Sequence, residues 1–350
     1  MIIHLVDVGS TSIKYSRCEK GGRQTAGSLP FPGPMARESP FFEVDAEEIM
    51  TPIKEILAPV QPGDRVVLSV QMHGYLLADG KGSLLTPYIS WRDRRSECLP
   101  PEQRYPFDLP RWCGVSVKPN LPLSGLNAMR MMQPALFSEV RRFYTLGSLI
   151  AERLAGVNAS HITDLAPTGM YDARSGAQRH IDFVRDILFP QSMAFGPLGM
   201  YQGAKVWTPV GDQQASVAGS GLVRDEYLLN LGTAAQACTL SEEEVYGDYE
   251  SRPYFDGRTL CTITGLTGGR DYQALAADPE YASRRLAAEY GKAVSRLPAR
   301  HAIRAVGGVC RHYRVLVEET LKRIGLPWTI SEDADALDGL LRESERRCSG

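Results

Sequence analysis

The chain has 350 residues, 43% of them hydrophobic and 23% charged, and a formal net charge of −2 at pH 7. That length supports two domains whose cores need neither disulfides nor metals, and the near-neutral balance excludes a broad basic face for nucleic acid or a polybasic membrane patch. Seven cysteines, at 18, 98, 113, 238, 261, 310 and 348, are scattered without a CxxC pair, which points to a reducing compartment and away from structural zinc.

Residues 2–8 and 13–17 read as two strands joined by a turn at 9–12, a hairpin. The opening MIIHLVDVG enters its strand with no charged leader or cleavage-like site, and no run reaches the roughly 18 apolar residues of a membrane helix. The expectation is a soluble, cytoplasmic protein. Asp45 is a helix cap, followed by Ile49, Ile53, Ile56 and Leu57 at helical spacing. Residues 64–71 form a buried strand, and 75–85 a hairpin around Asp79-Gly80 and Gly82. The stretch 99–122 is proline-rich and irregular, and helical patterns return at 124–133, 135–154 and 181–188.

Near 203–211 the text moves from loop to a Gly/Ala/Ser-rich helix start. The run EYLLNLGTAAQACTL, 226–240, is again strand, turn and strand, an echo of residues 4–16 about 220 positions downstream. Residues 304–327 read as strand, diglycine turn and amphipathic helix, and the chain closes in a short helical stretch.

Four places carry chemistry. The turn after Asp7 supplies backbone amides and the hydroxyls of Ser10, Thr11 and Ser12, with Gly9 allowing close approach of an anion. Asp7 can hold Mg²⁺ through water, and Lys14 adds a point charge. The same residues also read as a surface hairpin whose Asp caps the turn. Asp212 precedes a helix, where it serves as an N-cap, as a general base toward a substrate hydroxyl, or as both. Residues 69–96 cluster Gln71, Met72, His73, Trp91, Asp93 and Arg95, donors, acceptors and an aromatic face suited to a polyhydroxyl ligand; His73 reads equally as a structural histidine. Gly232-Thr233 can grip a second phosphate, and Gly307 with Gly308 can let an adenine lie on bare backbone. Neither a GxxxxGK[ST] loop nor a GxGxxG after the first strand is present.

In this order the stretches resemble the FGGY carbohydrate kinases. DVGSTSIK resembles that family's first phosphate motif; QMHG and ISWRDRR, its sugar-side segments; ITDLAPTGMYDARSG, at 162–176, a stretch late in its first domain. GDQQASVAGSG is similar to the Gly-Asp motif that carries the base, NLGTAAQ to the second phosphate motif, and AVGGVCRHYRVLVEETLKRIGLP to the adenosine motif. Within the family, GDQQ and RPYFDGRTL…LTGGR look most like the sedoheptulokinase branch.

The resemblance implies an α/β, actin-like ATPase (ribonuclease H-like) fold of two domains with a ligand cleft between them. It places an N-terminal sugar- and phosphate-binding domain at 1–206 and a shortened nucleotide-binding domain at 207–350. It implies ATP and Mg²⁺ as cofactors and transfer of the γ-phosphoryl to a primary hydroxyl of a ketose (heptulose or pentulose) or polyol, with Asp212 as base and Asp7 holding Mg²⁺ through water. ATP would meet Asp7, Gly9, Ser10, Thr11, Ser12, Lys14, Gly232, Thr233, Gly307 and Gly308; the sugar would meet Gln71, Met72, His73, Trp91, Asp93 and Asp212. The partners are small molecules, with no nucleic acid and no membrane, and a homodimer is left open. Two departures stand out: the usual Gly-Thr-Ser reads Gly-Thr-Ala at 232–234, and Val309 replaces a third glycine. These motivate an alternative, a catalytically degenerate sugar or nucleotide sensor. An ATPase with a protein partner is a further alternative, opposed by the sugar-side cluster.

Overall fold

The computed structural model describes residues 1–19, 22–35, 39–232, 234–331 and 335–347. The chain divides into two compact units, Met1–Ala215 with Leu340–Gly350, and Ser216–Gly339.

The first unit is built on strands β1 (Ile3–Val8), β2 (Ser12–Glu19) and β3 (Gly22–Pro30), helix α1 (Ala46–Leu57), then β4 (Arg65–Val70) and β5 (Tyr75–Ala78). Helix α2 (Pro122–Met132), β6 (Arg142–Thr145), α3 (Leu146–Ala155), β7 (Pro197–Tyr201), β8 (Ala204–Trp207), β9 (Val210–Gly211) and α4 (Asp212–Ser220) follow. The main sheet runs β7-β8-β4-β1-β2-β3, with β9 also pairing β4. Strands β1 and β4 are buried along their whole lengths, and so read as continuous apolar runs rather than alternating ones. On one face of the sheet, Ile49 and Ile53 of α1 and Ile150 of α3 pack with Val6, Val66 and Leu68 in one core.

Helix α1 begins as its sequence predicts, the Asp45 carboxylate accepting from the amides of Glu47 and Glu48. Asp64 anchors the start of β1, accepting from Ile2 N at 2.8 Å and His4 Nε2 at 3.1 Å. Burial raises the Asp64 carboxyl, but its hydrogen bonds from Ile2, His4 and Gln61 outweigh that and hold it below the usual range. Arg65 lies over the Trp207 ring at 4.7 Å and donates to Ser344 O at 3.3 Å, which ties the last helix, α9 (Ala336–Arg346), into this unit.

Three expected elements differ. The helical stretch 135–154 is interrupted by β6, whose Phe143 and Tyr144 pair with β5 and are buried; tertiary pairing overrides local helical spacing there. The hairpin at 75–85 forms, with Asp79 N donating to Ser83 O at 3.0 Å and Leu85 N to Leu77 O at 2.8 Å, but its return arm is a single bridge, Ala78 to Leu84, rather than a strand. Residues 181–188 form only a 3₁₀ turn at Asp182–Val184.

The second unit holds β10 (Glu226–Leu231), β11 (Ala235–Ser241), β12 (Glu250–Pro253), β13 (Thr259–Leu266), α5 (Gly269–Leu275), α6 (Pro279–Arg296), β14 (Ala302–Val306), α7 (Gly308–His312), α8 (Arg314–Ile324) and β15 (Trp328–Ser331). Its sheet runs β12-β13-β11-β10-β14-β15. The amphipathic stretch after Gly308 is two helices, broken at Tyr313. Leu229, Leu231, Leu286, Tyr290, Ile303 and Leu321 share its core.

The two sheets repeat one topology. In each, a first strand pairs antiparallel with the second, the second with the third, and the first also pairs parallel with a fourth. A fifth then joins parallel to the fourth, β8 and β9 in one unit and β15 in the other. The echo read between residues 4–16 and 226–240 is the opening hairpin of each copy. Among the described residues, no helix is long and apolar enough to cross a membrane.

Candidate active site

In the first unit the chemistry collects at the carboxyl ends of parallel strands, where open α/β sheets bind ligands. Asp7 pairs with Ser69 of β4, and Ser69 with Val210 of β9, so β4 is flanked by the strands that lead to Asp7 and to Asp212. Asp7 is 8% exposed, and its Oδ1 accepts from Ser69 Oγ at 2.7 Å. The next turn closes through Gly9 N to Ser12 O at 3.1 Å, leaving Ser10 and Ser12 half-buried and Thr11 exposed. Lys14 is exposed and opposes Asp7 across the hairpin.

Asp212 is half-buried and opens α4 rather than preceding it; its Oδ1 accepts from Gln213 N at 2.8 Å. It belongs to the first unit because β9 joins the first sheet, whereas the boundary read at 206/207 assigned it to the second. Asp7 and Asp212 thus share one sheet edge.

Gln71, Met72 and His73 leave β4 between these carboxylates. Gln71 is buried; its backbone amide donates to Val8 O at 2.9 Å and its Nε2 to Gly9 O at 3.4 Å, while its Oε1 has no partner among the described residues. His73 adopts φ 65°, a left-handed conformation uncommon for a residue with a side chain and frequent at functional sites. Met72 Sδ stands 2.6 Å from where a Cβ on Gly211 would lie, so only glycine lets β9 approach the 71–73 turn.

Trp91 and Arg92 are half-buried, with the Arg92 guanidinium 5.1 Å from the Phe42 ring and 5.5 Å from Trp91, and its Nη2 3.5 Å from Ser10 Oγ. Asp93 faces inward. Its carboxylate accepts from Phe42 N at 2.8 Å and from Arg95 N, Nε and Nη2 at 2.9 Å each, and Arg95 Nη2 also reaches Glu43 at 2.7 Å. A nearly dry, bidentate pair of this kind fixes the loop that carries Trp91.

The contacts that hold the chain around Asp212 escaped the sequence reading. Thr163 Oγ1 accepts from Gly211 N at 3.0 Å and lies 2.9 Å from His161 Nδ1. His161 N donates to Pro209 O at 2.9 Å, so residues 161–163 hold the backbone immediately before Asp212. Asp164 accepts from Thr145 Oγ1 at 2.5 Å and Ser160 Oγ at 2.7 Å. Burial pushes its carboxyl up to about 6, against the pull of those two hydroxyls. Tyr88 is fully buried with its hydroxyl against Gly74, and a Cβ there would lie 1.9 Å from it. Burial, then the charges of Asp164 and Asp212, push that phenol well above its ordinary value. For Thr163 and Asp164 the signal was the 162–176 motif itself, which carried no assigned role; Tyr88, Ser160 and His161 lie outside it.

The second unit offers backbone instead. Its hairpin turn contains half-buried Gly232; Thr233 lies outside the described residues. Gly307 takes φ 106°, and a Cβ on it would meet Leu231 O at 2.6 Å, so the diglycine turn is pressed against the end of β10. Gly308 is exposed with open space around it. A third glycine turn joins them: Gly269 N donates to Gly232 O at 2.8 Å, and Gly269 abuts Val309. The sequence reading used LTGGR only as a branch signature and missed this contact.

No family model matches the chain, and no curated protein matches it. Solved structures do. The ligand-bound xylulose kinase from Lactobacillus acidophilus aligns with TM-score 0.84 at 16% identity, covering 99% of this chain and 89% of that one. The gluconate kinase from the same organism gives 0.81 at 16% identity, over 97% and 88%. Plasmodium falciparum glycerol kinase with ADP gives 0.80 at 13% identity, also over 97% and 88%. The chain has the two-domain, actin-like α/β fold of these kinases. Two copies of one sheet topology, each opening on a hairpin, make up this fold.

Proposed function

We propose that the chain is an ATP-dependent carbohydrate kinase, with Asp212 as general base. One observation carries this reading: Asp7 and Asp212 leave strands on either side of β4, and β4 itself ends in Gln71-Met72-His73. A phosphate turn, a carboxylate base and a polar acceptor segment therefore meet at one sheet edge. In the proposed reaction the acceptor hydroxyl gives its proton to the Asp212 carboxylate, and its oxygen bonds to the γ-phosphorus. The bond from that phosphorus to the β–γ bridging oxygen breaks, and ADP leaves. Positioning and charge neutralisation do most of the work in such transfers.

The turn 9–12 and Lys14 are assigned to the terminal phosphates, and Gly232 with Thr233, Gly307 and Gly308 to the rest of ATP. The donors near Asp7 suit Mg²⁺: one buried carboxylate and hydroxyls, hard oxygen ligands that leave most positions to water and phosphate. Among the described residues no group of three or more His, Cys, Asp or Glu is arranged to hold a metal, and a magnesium ion carried largely by phosphate oxygens needs none. When bound, the ion offsets charge on the β- and γ-phosphates. Asp93 fixes the loop that presents Trp91 to the acceptor.

The acceptor is assigned to the ketoses and polyols, with GDQQ and LTGGR favouring a heptulose and the xylulose kinase likeness a pentulose. The reaction is placed in the cytoplasm, in keeping with cysteines at 18, 98, 113, 238, 261 and 310 that form no disulfide among the described residues. The test is coupled ADP release with MgATP over pentuloses, heptuloses, aldonates and polyols. The expected result is release that depends on one class of acceptor. No acceptor-dependent release across the whole panel would refute the reading.

A further inference from the structure

Resting on the kinase reading, we propose that Glu289 is a positioning residue for the ATP phosphates, acting through the turn Thr267-Gly268-Gly269. Glu289, half-buried on α6, receives Thr267 N on Oε1 and Thr267 Oγ1 on Oε2, both at 2.7 Å. Tyr290, its neighbour on the helix, donates its single phenolic proton to Thr267 O at 2.6 Å. That commitment makes Tyr272, 2.9 Å away and fully buried, the donor to Tyr290. The amide, the hydroxyl and the carbonyl of Thr267 are thus all held by α6.

Two residues on, Gly269 N donates to Gly232 O at 2.8 Å, inside the turn assigned to phosphate. A Cβ on Gly269 would come within 3.2 Å of Gly232 O and 3.3 Å of Val309 Cγ2, so the held turn also abuts the diglycine turn. A carboxyl group that accepts from both the amide and the hydroxyl of an uncharged threonine at 2.7 Å makes short bonds that orient a backbone rather than neutralise a cation. Through Thr267 and Gly269 it fixes where the Gly232 turn stands, and small errors in such placement weaken binding strongly.

The experiment measures MgADP affinity by calorimetry for wild type, Glu289→Ala, Glu289→Gln and Thr267→Val, with acceptor KM as a second readout. Glu289→Ala should lose about tenfold or more in MgADP affinity, with acceptor KM within about twofold of wild type. In Glu289→Gln the carbonyl still accepts from Thr267 N and the amide donates to Thr267 Oγ1, so affinity should stay within about threefold. Thr267→Val keeps the amide bond and loses only the hydroxyl's, and should fall between them; it carries the test if Glu289→Ala does not fold. Wild-type affinity in Glu289→Ala or Thr267→Val would overturn the inference, as would an equal loss in the Gln variant, while leaving the kinase reading intact. Wild type that fails to bind MgADP would overturn both.

Discussion

The two sheets share a strand order and part ways in what their carboxyl ends present. In the first unit β1, β4 and β9 run out into side chains: Asp7, the Gln71–His73 segment and Asp212. In the second, β10 and β14 run out into Gly232 and Gly307-Gly308. One copy offers carboxylates, an amide and an imidazole, groups that choose among hydroxyls and move a proton. The other offers bare amides and close approach, which suit phosphate oxygens and a flat base. In the proposed reading, side chains of the first unit meet the acceptor and its turn 9–12 the terminal phosphates, while the glycine turns of the second meet the rest of ATP.

That division predicts different failures in the two units. The largest effect should come from Asp212→Asn: the amide oxygen still accepts from Gln213 N, so the fold stays, while kcat falls on the order of 10²-fold or more. Turnover equal to wild type in the coupled assay would remove Asp212 from its role. Next, Gly307→Ala should destabilise the protein by about 2 kcal/mol or more, because a Cβ meets Leu231 O in a backbone region that side chains avoid. Gly308→Ala, with open space around it, should unfold at the same denaturant midpoint as wild type yet bind MgADP more weakly. Unchanged affinity there would take the adenine off that turn.

On the acceptor side, Thr163→Val leaves Gly211 N without its partner, a cost of about 1–3 kcal/mol for a buried amide. Its kcat should drop about tenfold and return in Thr163→Ser; a loss that serine does not restore would point to packing alone. His73→Ala should raise KM for the acceptor several-fold more than KM for ATP, and the reverse pattern would move His73 to the donor side.

A separate effect is in pH. Asp164 keeps its proton up to about pH 6 in the fold, whereas an unfolded carboxylate releases it near its ordinary value of 3.8. Between those values the native state binds more protons, so stability falls as pH rises from about 4 to about 6, by up to about 3 kcal/mol. In Asp164→Asn the amide oxygen still accepts from Thr145 and Ser160, and the difference in unfolding free energy from wild type should lose this slope. Parallel pH profiles for the two proteins would show that Asp164 titrates normally.

The legible parts of the fold were those whose signals are local. Asp45 before Ile49 and Ile53, the apolar runs of β1 and β4, and the hairpins at 3–19 and 226–241 carry their periodicity and turn residues in the chain itself. The stretch 135–154 misread as one helix because Phe143 and Tyr144 become a strand only through pairing with Leu76 and Leu77. Much the same holds for the site. Asp7 and Asp212 were visible as acidic residues beside turns, while Thr163, Asp164, Tyr88 and Glu289 have roles made by partners tens of residues away.

By itself the sequence determined the kinds of groups available, hydroxyl-rich and glycine turns after apolar strands and one acidic helix start, because backbone propensity and turn chemistry act over a few neighbouring residues. Only the tertiary structure decided which of them meet. The pairing of β9 with β4 assigns Asp212 to the same unit as Asp7, and Glu289 reaches Thr267 from α6, beyond the helix that follows it. Such contacts depend on strand order and helix packing, whose energies come from buried surface and ladder hydrogen bonds between distant segments that no local pattern records.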